Sequence, residues 1–239
     1  MAEMKDSGRE RQPGIGPKRP GEKSSHGQQK ERTLVLATGN PAKVRELNEL
    51  LQGRRWKVRA LSEFTDDTDV EENGSTLEEN AEIKARFAFE TTGLPALADD
   101  TGLEVDALDG RPGVHSARYA GPQCGAEQNR KKLLEELSDV TDPAQRSARF
   151  RTVLIYIGQG DGKGSNNESP TQDLETRRYD GVCEGRILTE ERGTEGFGYD
   201  PLFVPDRYQD TFAEMDAALK NSISHRGRAL QKFLKDMAG

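Results

Sequence analysis

The most constraining feature of the sequence is a short apolar run that leads directly into a glycine turn and a helix. Residues 33–38, Thr-Leu-Val-Leu-Ala-Thr, have the length and composition of a buried strand. Gly39 then turns the chain, Asn40 is a favourable N-cap, and Pro41 is a favourable first helical residue. Apolar residues recur at helical spacing through residues 41–52. The chain therefore opens as strand, turn and helix, with the helix N-terminus just after the carboxyl end of the strand.

This strand–helix junction has the features of an anion site. The free N–H groups and the dipole of a helix N-terminus favour negative charge, and Lys43 in the first turn can reach a phosphate oxygen. The run is not a Walker A loop, because it lacks that motif's glycine and Lys-Ser/Thr spacing. Capped strand–helix junctions are common, so the segment taken alone favours a simple capped helix.

The same periodicities predict further helices and strands. A capping-box pattern formed by Ser75 and Glu78 marks the start of the second helix. The predicted helices cover residues 76–92, 125–138 and from about 221 onward, and the predicted strands cover residues 94–98, 103–108, 149–157 and 179–188, the last two paired as a hairpin.

Two polar segments differ from this pattern. Residues 1–31 contain almost no apolar side chains, so burial cannot offset their ordering entropy and we expect disorder. This weakly basic tail could contact nucleic acid, but an extension without a catalytic role is the plainer interpretation. Residues 158–176 are rich in Gly, Ser, Asn and Asp and are predicted to be an exposed loop insert. The predicted catalytic domain covers residues 32–239.

Length, charge and cysteine content limit the class of protein. The 239 residues suffice for one domain or two closely fused lobes with a sizeable core, and the net charge of −7 argues against a nucleic-acid binder. Cys124 and Cys183 lack metal-ligand spacing and indicate no disulfide framework. No apolar run approaches the ~20 residues that span a bilayer, and no signal-peptide pattern follows Met1. We expect a cytoplasmic protein.

Carboxylates mark a second candidate site. Asp99 and Asp100 follow directly on the predicted strand 94–98, Glu71 and Glu72 lie in a polar loop before the second helix, and Glu79 lies within that helix. Mg²⁺ takes oxygen ligands, usually one or two carboxylates with waters and substrate phosphates. Ligands of α/β sheets bind at the carboxyl ends of strands. The alternative is that Asp-Asp-Thr-Gly is only a turn, and these residues alone do not separate the two interpretations.

Two more clusters are candidates for ligand binding. In residues 196–201, Gly-Phe-Gly-Tyr-Asp-Pro, Phe197 lies between glycines and could stack on a nucleobase, although composition alone favours its packing into the core. Lys220, His225 and Arg226 lie at the start of the last predicted helix. Cations there oppose the helix dipole, which favours an anionic or carbonyl-bearing ligand.

Together these segments resemble the inosine triphosphate pyrophosphatase family, which removes non-standard purine nucleotides. The matching runs occur in the family's order and spacing and extend over residues 33–238. The resemblance implies an α/β fold with an elongated mixed central sheet flanked by helices, in two lobes with a nucleotide cleft between them, and a homodimer. The runs are LVLATGNPAKVRELNELL, GSTLEENAEIKA, LPALADDTGLEVDALDGRPGVHSARYAG, GFGYDPLF and NSISHRG.

The resemblance also implies roles for individual residues. Asp100 would be the catalytic base and, with Glu71, a ligand of Mg²⁺. Thr101 would lie at the substrate, with a hydroxyl where the family frequently has Ser; Glu79 and Lys84 are further candidates on the matched helix. The other implied substrate-binding residues are Thr38, Gly39, Asn40, Pro41, Ala42, Lys43, Phe197, Gly198, Tyr199, Asp200, Lys220, His225 and Arg226.

The implied activity is Mg²⁺-dependent hydrolysis of the triphosphates of inosine, deoxyinosine and xanthosine (ITP, dITP and XTP) to the monophosphate plus pyrophosphate. We expect no stable nucleic-acid or membrane partner. One alternative is a pyrophosphatase for modified pyrimidine triphosphates, against which the Ser-His-Arg and Gly-Phe-Gly-Tyr-Asp matches argue. Another is a nucleotide sensor that does not hydrolyse, which would be expected to lack one of the two key carboxylates.

Overall fold

The computed structural model describes residues 31–38, 41–68, 70–159 and 174–237. The predicted disorder of the N-terminal tail, the roles of Gly39 and Asn40, and most of the loop insert fall outside these described residues. Within them, residues 158–159 and 174–176 extend two strands instead of belonging to a loop.

The described chain forms one sheet with helices packed on it. Its helices are α1 (Pro41–Leu50), α2 (Leu77–Thr92), α3 (Ala126–Glu136), α4 (Ala217–Ile223) and α5 (His225–Asp236). Its strands are β1 (Arg32–Leu36), β2 (Trp56–Ala60), β3 (Ala96–Val105), β4 (Pro112–Gly113), β5 (Ser147–Gln159), β6 (Leu174–Ile187) and β7 (Phe203–Pro205).

The sheet is mixed. Its strand order is β2-β1-β3-β5-β6-β7, and β4 also pairs with β3. β1 runs parallel to β2 and β3, whereas the pairs from β3 to β7 are antiparallel. The parallel pairs need crossover connections, which α1 and α2 supply, and the predicted β5–β6 hairpin is present. The predicted α/β class with a mixed central sheet is confirmed.

β3 is a single strand, whereas the sequence predicted two short strands in its place. β5 pairs with β3 along its whole length, from Ala96 to Val105, and this continuous ladder keeps the Asp-Asp-Thr-Gly segment extended. The interpretation of that segment as a turn is therefore wrong. On the other side, β1 pairs only as far as Leu97, and β4 begins to pair at Leu103. The edge of β3 between these two residues is open on that side.

The start of α2 lies one residue later than its capping pattern predicted. Thr76 is the N-cap and accepts a hydrogen bond from the Glu79 backbone N–H at 3.2 Å. The Glu79 carboxylate in turn accepts from the backbone N–H of Ser75 at 2.6 Å. The predicted Ser75–Glu78 box is wrong, because Glu78 instead forms an ion pair with Arg151 of β5.

The single helix predicted from about residue 221 is in fact two helices. The chain is extended at Ser224, with φ −66° and ψ 158°, and its hydroxyl accepts from the Gly227 N–H at 3.1 Å to cap α5. Lys220 therefore lies in the last turn of α4, where a helix dipole favours a cation. The predicted conflict with the dipole holds for Arg226, in the first turn of α5.

Apolar side chains fill both faces of the sheet. α1 and α5 cover one face and α2 the other. The contact of α5 with β6 requires glycine at position 181, because a Cβ there would lie 1.8 Å from the His225 carbonyl oxygen. This close approach sets the first turn of α5 against the sheet. No helix in the described chain is both long and apolar enough to cross a membrane.

Candidate active site

A buried ion cluster lies on one face of β3, beside its open edge. The Oδ2 atom of Asp99 is 2.6 Å from Lys43 Nζ of α1 and 3.6 Å from Arg226 Nε of α5. Burial favours a raised pKa for Asp99, but the charges of Lys43 and Arg226 prevail and lower it to about 2. Asp99 is therefore ionised and holds together two cations that come from opposite ends of the described chain. The sequence marked it, beside Asp100, as a candidate carboxylate but gave it no role.

A second ion cluster has the opposite balance of charge. Lys84 Nζ of α2 lies 2.9 Å from Asp100 Oδ1 and 2.9 Å from Glu72 Oε1. Burial raises the pKa of Asp100, and Lys84 offsets this only in part. Here two carboxylates share one cation, whereas in the first cluster two cations share the single carboxylate of Asp99. The sequence prediction treated Lys84 as a further candidate and did not select Glu72.

The open edge of β3 brings the two clusters together. Successive side chains of a strand point to opposite faces, so Asp99 and Asp100 belong to different clusters. Lys43, Asp99, Lys84 and Glu72 nevertheless line one cavity of about 270 Å³, together with Thr38 from the end of β1. The cavity, called here the polar cavity, offers surplus positive charge on one side and surplus negative charge on the other.

The placement of Glu72 bears on the predicted metal ligands. Glu71 is exposed, whereas Glu72 lines the polar cavity and shares the Lys84 ammonium with Asp100. The buried Asn80 accepts from the backbone N–H of Gly74 at 2.8 Å, which orders the loop that follows Glu72. Among the described residues, no three His, Cys, Asp or Glu side chains are grouped to hold a metal alone. Two carboxylates suit Mg²⁺ when phosphate oxygens and water complete its ligands.

A larger cavity of about 520 Å³ adjoins the polar cavity, and Lys43 lines both. Its volume is in the range of small-molecule sites. It lies between the N-terminus of α3, the loop of residues 196–200 (the glycine loop) and the α4–α5 junction. The predicted site residues that the structure brings together around it are Lys43, Thr101, Phe197, Gly198, Tyr199, Asp200, Lys220, His225 and Arg226.

The glycine loop presents one aromatic ring to the larger cavity and buries another. Phe197 is 71% exposed, so the interpretation that it packs into the core is wrong. The Asp200 carboxylate accepts from the Phe197 N–H at 2.7 Å and from Lys220 Nζ at 2.6 Å. Tyr199 is buried, and its hydroxyl donates to the Ser116 carbonyl at 2.9 Å. Asp200 and Tyr199 thus anchor the loop, while the exposed Phe197 ring remains available for stacking.

His225 forms a buried wall of the larger cavity. Its ring stacks on Phe150 at a centroid distance of 4.6 Å and an angle of 17°. Burial, and then the charges of Lys220 and Arg226, lower the pKa of His225 to about 3, so the imidazole is neutral. Its Nδ1 atom has no hydrogen-bond partner within the described part of the chain. A ligand in this cavity could supply the missing partner.

The remaining predicted residues are placed as follows. The Thr101 hydroxyl lies 2.6 Å from that of Thr152, on the floor of the larger cavity. Pro41 begins α1 and is exposed, and Ala42 follows it in the helix. Gly39 and Asn40 lie outside the described residues. Phe150 of β5 and Asn129 of α3 also line the larger cavity but were not predicted. Their local sequence patterns indicate only a buried strand residue and a helix residue.

Comparison with known proteins adds to this geometry. The profile of the Ham1 family matches residues 34–236. The dITP/XTP pyrophosphatase of Thioalkalivibrio sulfidiphilus is 48% identical over 206 residues, which are 86% of this chain and 98% of the relative. That of Desulforamulus reducens is 50% identical over 202 residues, which are 84% and 94% of the two chains.

Solved structures with the same fold are also similar in sequence. A HAM1 protein from Coxiella burnetii superposes with a TM-score of 0.76 at 42% identity, covering 87% of this chain and 98% of that one. The nucleoside-triphosphatase, or dITP/XTP pyrophosphatase, of Mycobacterium abscessus superposes with a TM-score of 0.65 at 36% identity, covering 84% and 98%.

Proposed function

The chain belongs to the Ham1 family, and from that premise we propose that it hydrolyses non-standard purine nucleoside triphosphates, namely ITP, dITP and XTP, to the monophosphate and pyrophosphate. The observation that carries the proposal is the pair of adjoining cavities. One is large and lined largely by apolar atoms, the other is small and charged, and Lys43 lines both. A nucleotide has the same division between base and phosphates. The names of the relatives agree with this assignment.

In this proposal the base and sugar occupy the larger cavity and the triphosphate extends into the polar cavity. Phe197 would stack on the purine ring, because its exposed face is free to do so. Lys43 would contact phosphate oxygens while Asp99 holds it in place, and Asp99 also holds Arg226 beside the larger cavity. Thr38 lines the same polar cavity and would contact the phosphates from the end of β1.

Base selection follows from charge around the larger cavity. Inosine and xanthosine have a carbonyl at C6, where adenosine has an amino group. The cations Lys220 and Arg226 line the cavity beside neutral His225, so the site favours an accepting carbonyl over a donating amino group. A site that hydrogen-bonds one such group rejects the analogue by several orders of magnitude, because the partners are left unpaired.

The donor set at the polar cavity fits a divalent cation. Glu72 and Asp100 already converge on one cation, the Lys84 ammonium, at 2.9 Å each. We propose that these two carboxylates hold Mg²⁺, with Glu71, the residue predicted from the sequence, as the alternative to Glu72. Bound Mg²⁺ would offset the negative charge of the phosphates and of the departing pyrophosphate.

Asp100 is the proposed general base. Burial raises its pKa, which makes its carboxylate a better proton acceptor than an exposed aspartate. It would take the proton from the water that attacks the α-phosphorus. Lys43, aligned by Asp99, would stabilise the negative charge that develops on the phosphates.

The test is pyrophosphate release in the presence of Mg²⁺ from ITP and XTP, compared with ATP, GTP, CTP and UTP at equal concentration. We expect strong selectivity for the first two and loss of activity in Asp100→Asn. Equal release from all six would keep the phosphate chemistry but contradict the base selection. A preference for pyrimidines would support the pyrimidine alternative, and tight ITP binding without release would support a sensor.

A homodimer remains a prediction from the family resemblance, and a cytoplasmic location remains a prediction from the sequence. Sedimentation velocity at several protein concentrations tests the first, with a mass near 53 kDa expected for two chains of 26.5 kDa. A single species at the monomer mass would contradict the dimer.

A further inference from the structure

Arg130 of α3 connects the two walls of the larger cavity. Its Nη1 atom donates to the Gly198 carbonyl oxygen at 2.9 Å, and its Nε atom pairs with Glu191 Oε1 at 2.8 Å. The side chain is 16% exposed. The neighbouring helix residue, Asn129, lines the larger cavity. Arg130 therefore ties the wall formed by α3 to the glycine loop.

The glycine loop needs such an external restraint. Gly196 and Gly198 have positive φ angles of 79° and 62°, so the loop depends on backbone angles that glycine adopts most readily, although Asp200 and Tyr199 also anchor it. Phe197 lies between them with most of its ring exposed, and its contact with Lys220 Nζ, 5.2 Å from the ring centroid, restrains it only on one side. The backbone contacts of the loop must supply the remaining restraint. The Arg130 bond to Gly198 acts on the residue directly after Phe197.

We infer that Arg130 is a positioning residue that sets the distance and angle of the glycine loop relative to α3, and thereby tunes which purine bases the enzyme accepts. The inference rests on the proposed function. Arg130 also draws the Gly198 carbonyl towards a positive charge, which leaves this oxygen a poorer acceptor for an amino group of the base. Both effects favour inosine and xanthosine over adenosine.

The variant Arg130→Met keeps most of the aliphatic side chain and removes every donor. We expect KM for ITP to rise about tenfold, the size of a lost charge-assisted hydrogen bond, while kcat changes little. The ratio of kcat/KM for ITP to that for ATP should fall by a similar factor. Arg130→Lys can still donate to the carbonyl, so it should restore part of the wild-type KM for ITP and part of the wild-type selectivity for ITP over ATP.

Arg111 provides a matched control. It likewise pairs with a glutamate, Glu136 at 2.8 Å, and donates to a main-chain carbonyl, that of Leu108 at 3.2 Å, but this carbonyl lies outside the glycine loop. Arg111→Met should therefore keep the KM and the selectivity of the wild-type protein. If Arg130→Met matched Arg111→Met in both quantities, or raised KM for ITP and ATP equally, the inference would be overturned.

Hydrogen exchange separates failure of this inference from failure of the proposed function. Amides of residues 196–200 should exchange roughly tenfold faster in Arg130→Met than in wild type or Arg111→Met, because the loop opens more often. If wild type does not hydrolyse ITP, the proposed function fails and this measurement still decides whether Arg130 restrains the loop. Unchanged exchange with unchanged selectivity would assign Arg130 to surface packing alone.

Discussion

Lys43 and Asp99 form an ion pair of 2.6 Å across 56 residues of sequence, and it joins the first helix to the central strand of the sheet. Arg226, from the last helix, approaches the same carboxylate oxygen at 3.6 Å. The beginning, middle and end of the described chain thus meet at one buried negative charge. This arrangement aligns two cations before any phosphate arrives, which reduces the ordering that substrate binding must supply.

Replacing Asp99 with asparagine should disturb the alignment of Lys43 and Arg226 while leaving Asp100 in place. The variant leaves Lys43 and Arg226 to repel each other, and we expect a loss of about 2–3 kcal/mol in the free energy of unfolding, somewhat below fully buried pairs because Lys43 is partly exposed. We also expect kcat/KM for ITP to fall about 10–100-fold. Urea unfolding and steady-state kinetics measure the two. A variant with wild-type stability and kinetics would show that the pair has no role.

Glu71 and Glu72 are adjacent glutamates, so a substitution at one is the control for the same substitution at the other in testing which of them binds Mg²⁺. Since only Glu72 faces Asp100, Glu72→Gln should raise the Mg²⁺ concentration needed for half-maximal activity at least about tenfold. Glu71→Gln should leave it unchanged, because this side chain is exposed. Titration of activity with Mg²⁺ tests both. The reverse result would restore Glu71, the residue predicted from the sequence, as the ligand.

Phe197→Ala should affect binding without affecting folding. The ring is 71% exposed, so its removal should change the free energy of unfolding by no more than about 0.5 kcal/mol. Loss of stacking on a base costs about 1–3 kcal/mol, which corresponds to a rise in KM for ITP of roughly 5–150-fold. Leu50→Ala removes another exposed apolar side chain on α1 and serves as the control. Equal KM values for the two variants would contradict a stacking role.

The buried His225 predicts a dependence of stability on pH. Its pKa is about 3 in the folded protein and about 6.5 when unfolded, so between these values only the unfolded chain binds the proton. Stability should therefore fall as pH decreases through this range, by at most about 1.4 kcal/mol per pH unit from this group. The charged groups that act on it are Lys220, Arg226, Asp99 and Lys43, and Asp99, with a pKa of about 2, stays ionised between pH 4 and 6.5.

Denaturant unfolding of wild type and His225→Gln at pH 7.5, 6.5, 5.5 and 4.5 provides the measurement. Other groups titrate in both proteins, so the difference between the two curves isolates the histidine. We expect the difference to change steadily below pH 6.5 and to be constant above it. A constant difference over the whole range would mean that the pKa of His225 is the same in the folded and the unfolded protein, as for an imidazole exposed to solvent.

Local patterns in the sequence were sufficient for the elements whose stability is local. β1, α1, α2, α3 and the β5–β6 hairpin were all predicted near their observed bounds, because periodicity and capping act over a few residues. The motifs also identified about half of the residues around the larger cavity. β2, β4 and β7 were missed. β2 is a short edge strand that alternates Trp56 and Val58 with basic residues, and its pairing with β1 gives it its conformation.

The tertiary structure decided how the carboxylates divide between functions. Asp99 and Asp100 are adjacent in sequence, and their separation into two ion clusters arises only because the ladder with β5 keeps the strand extended through them. The choice of Glu72 over Glu71 depends on where the loop before α2 meets Lys84. These outcomes rest on contacts between residues far apart in the chain, which no local pattern encodes.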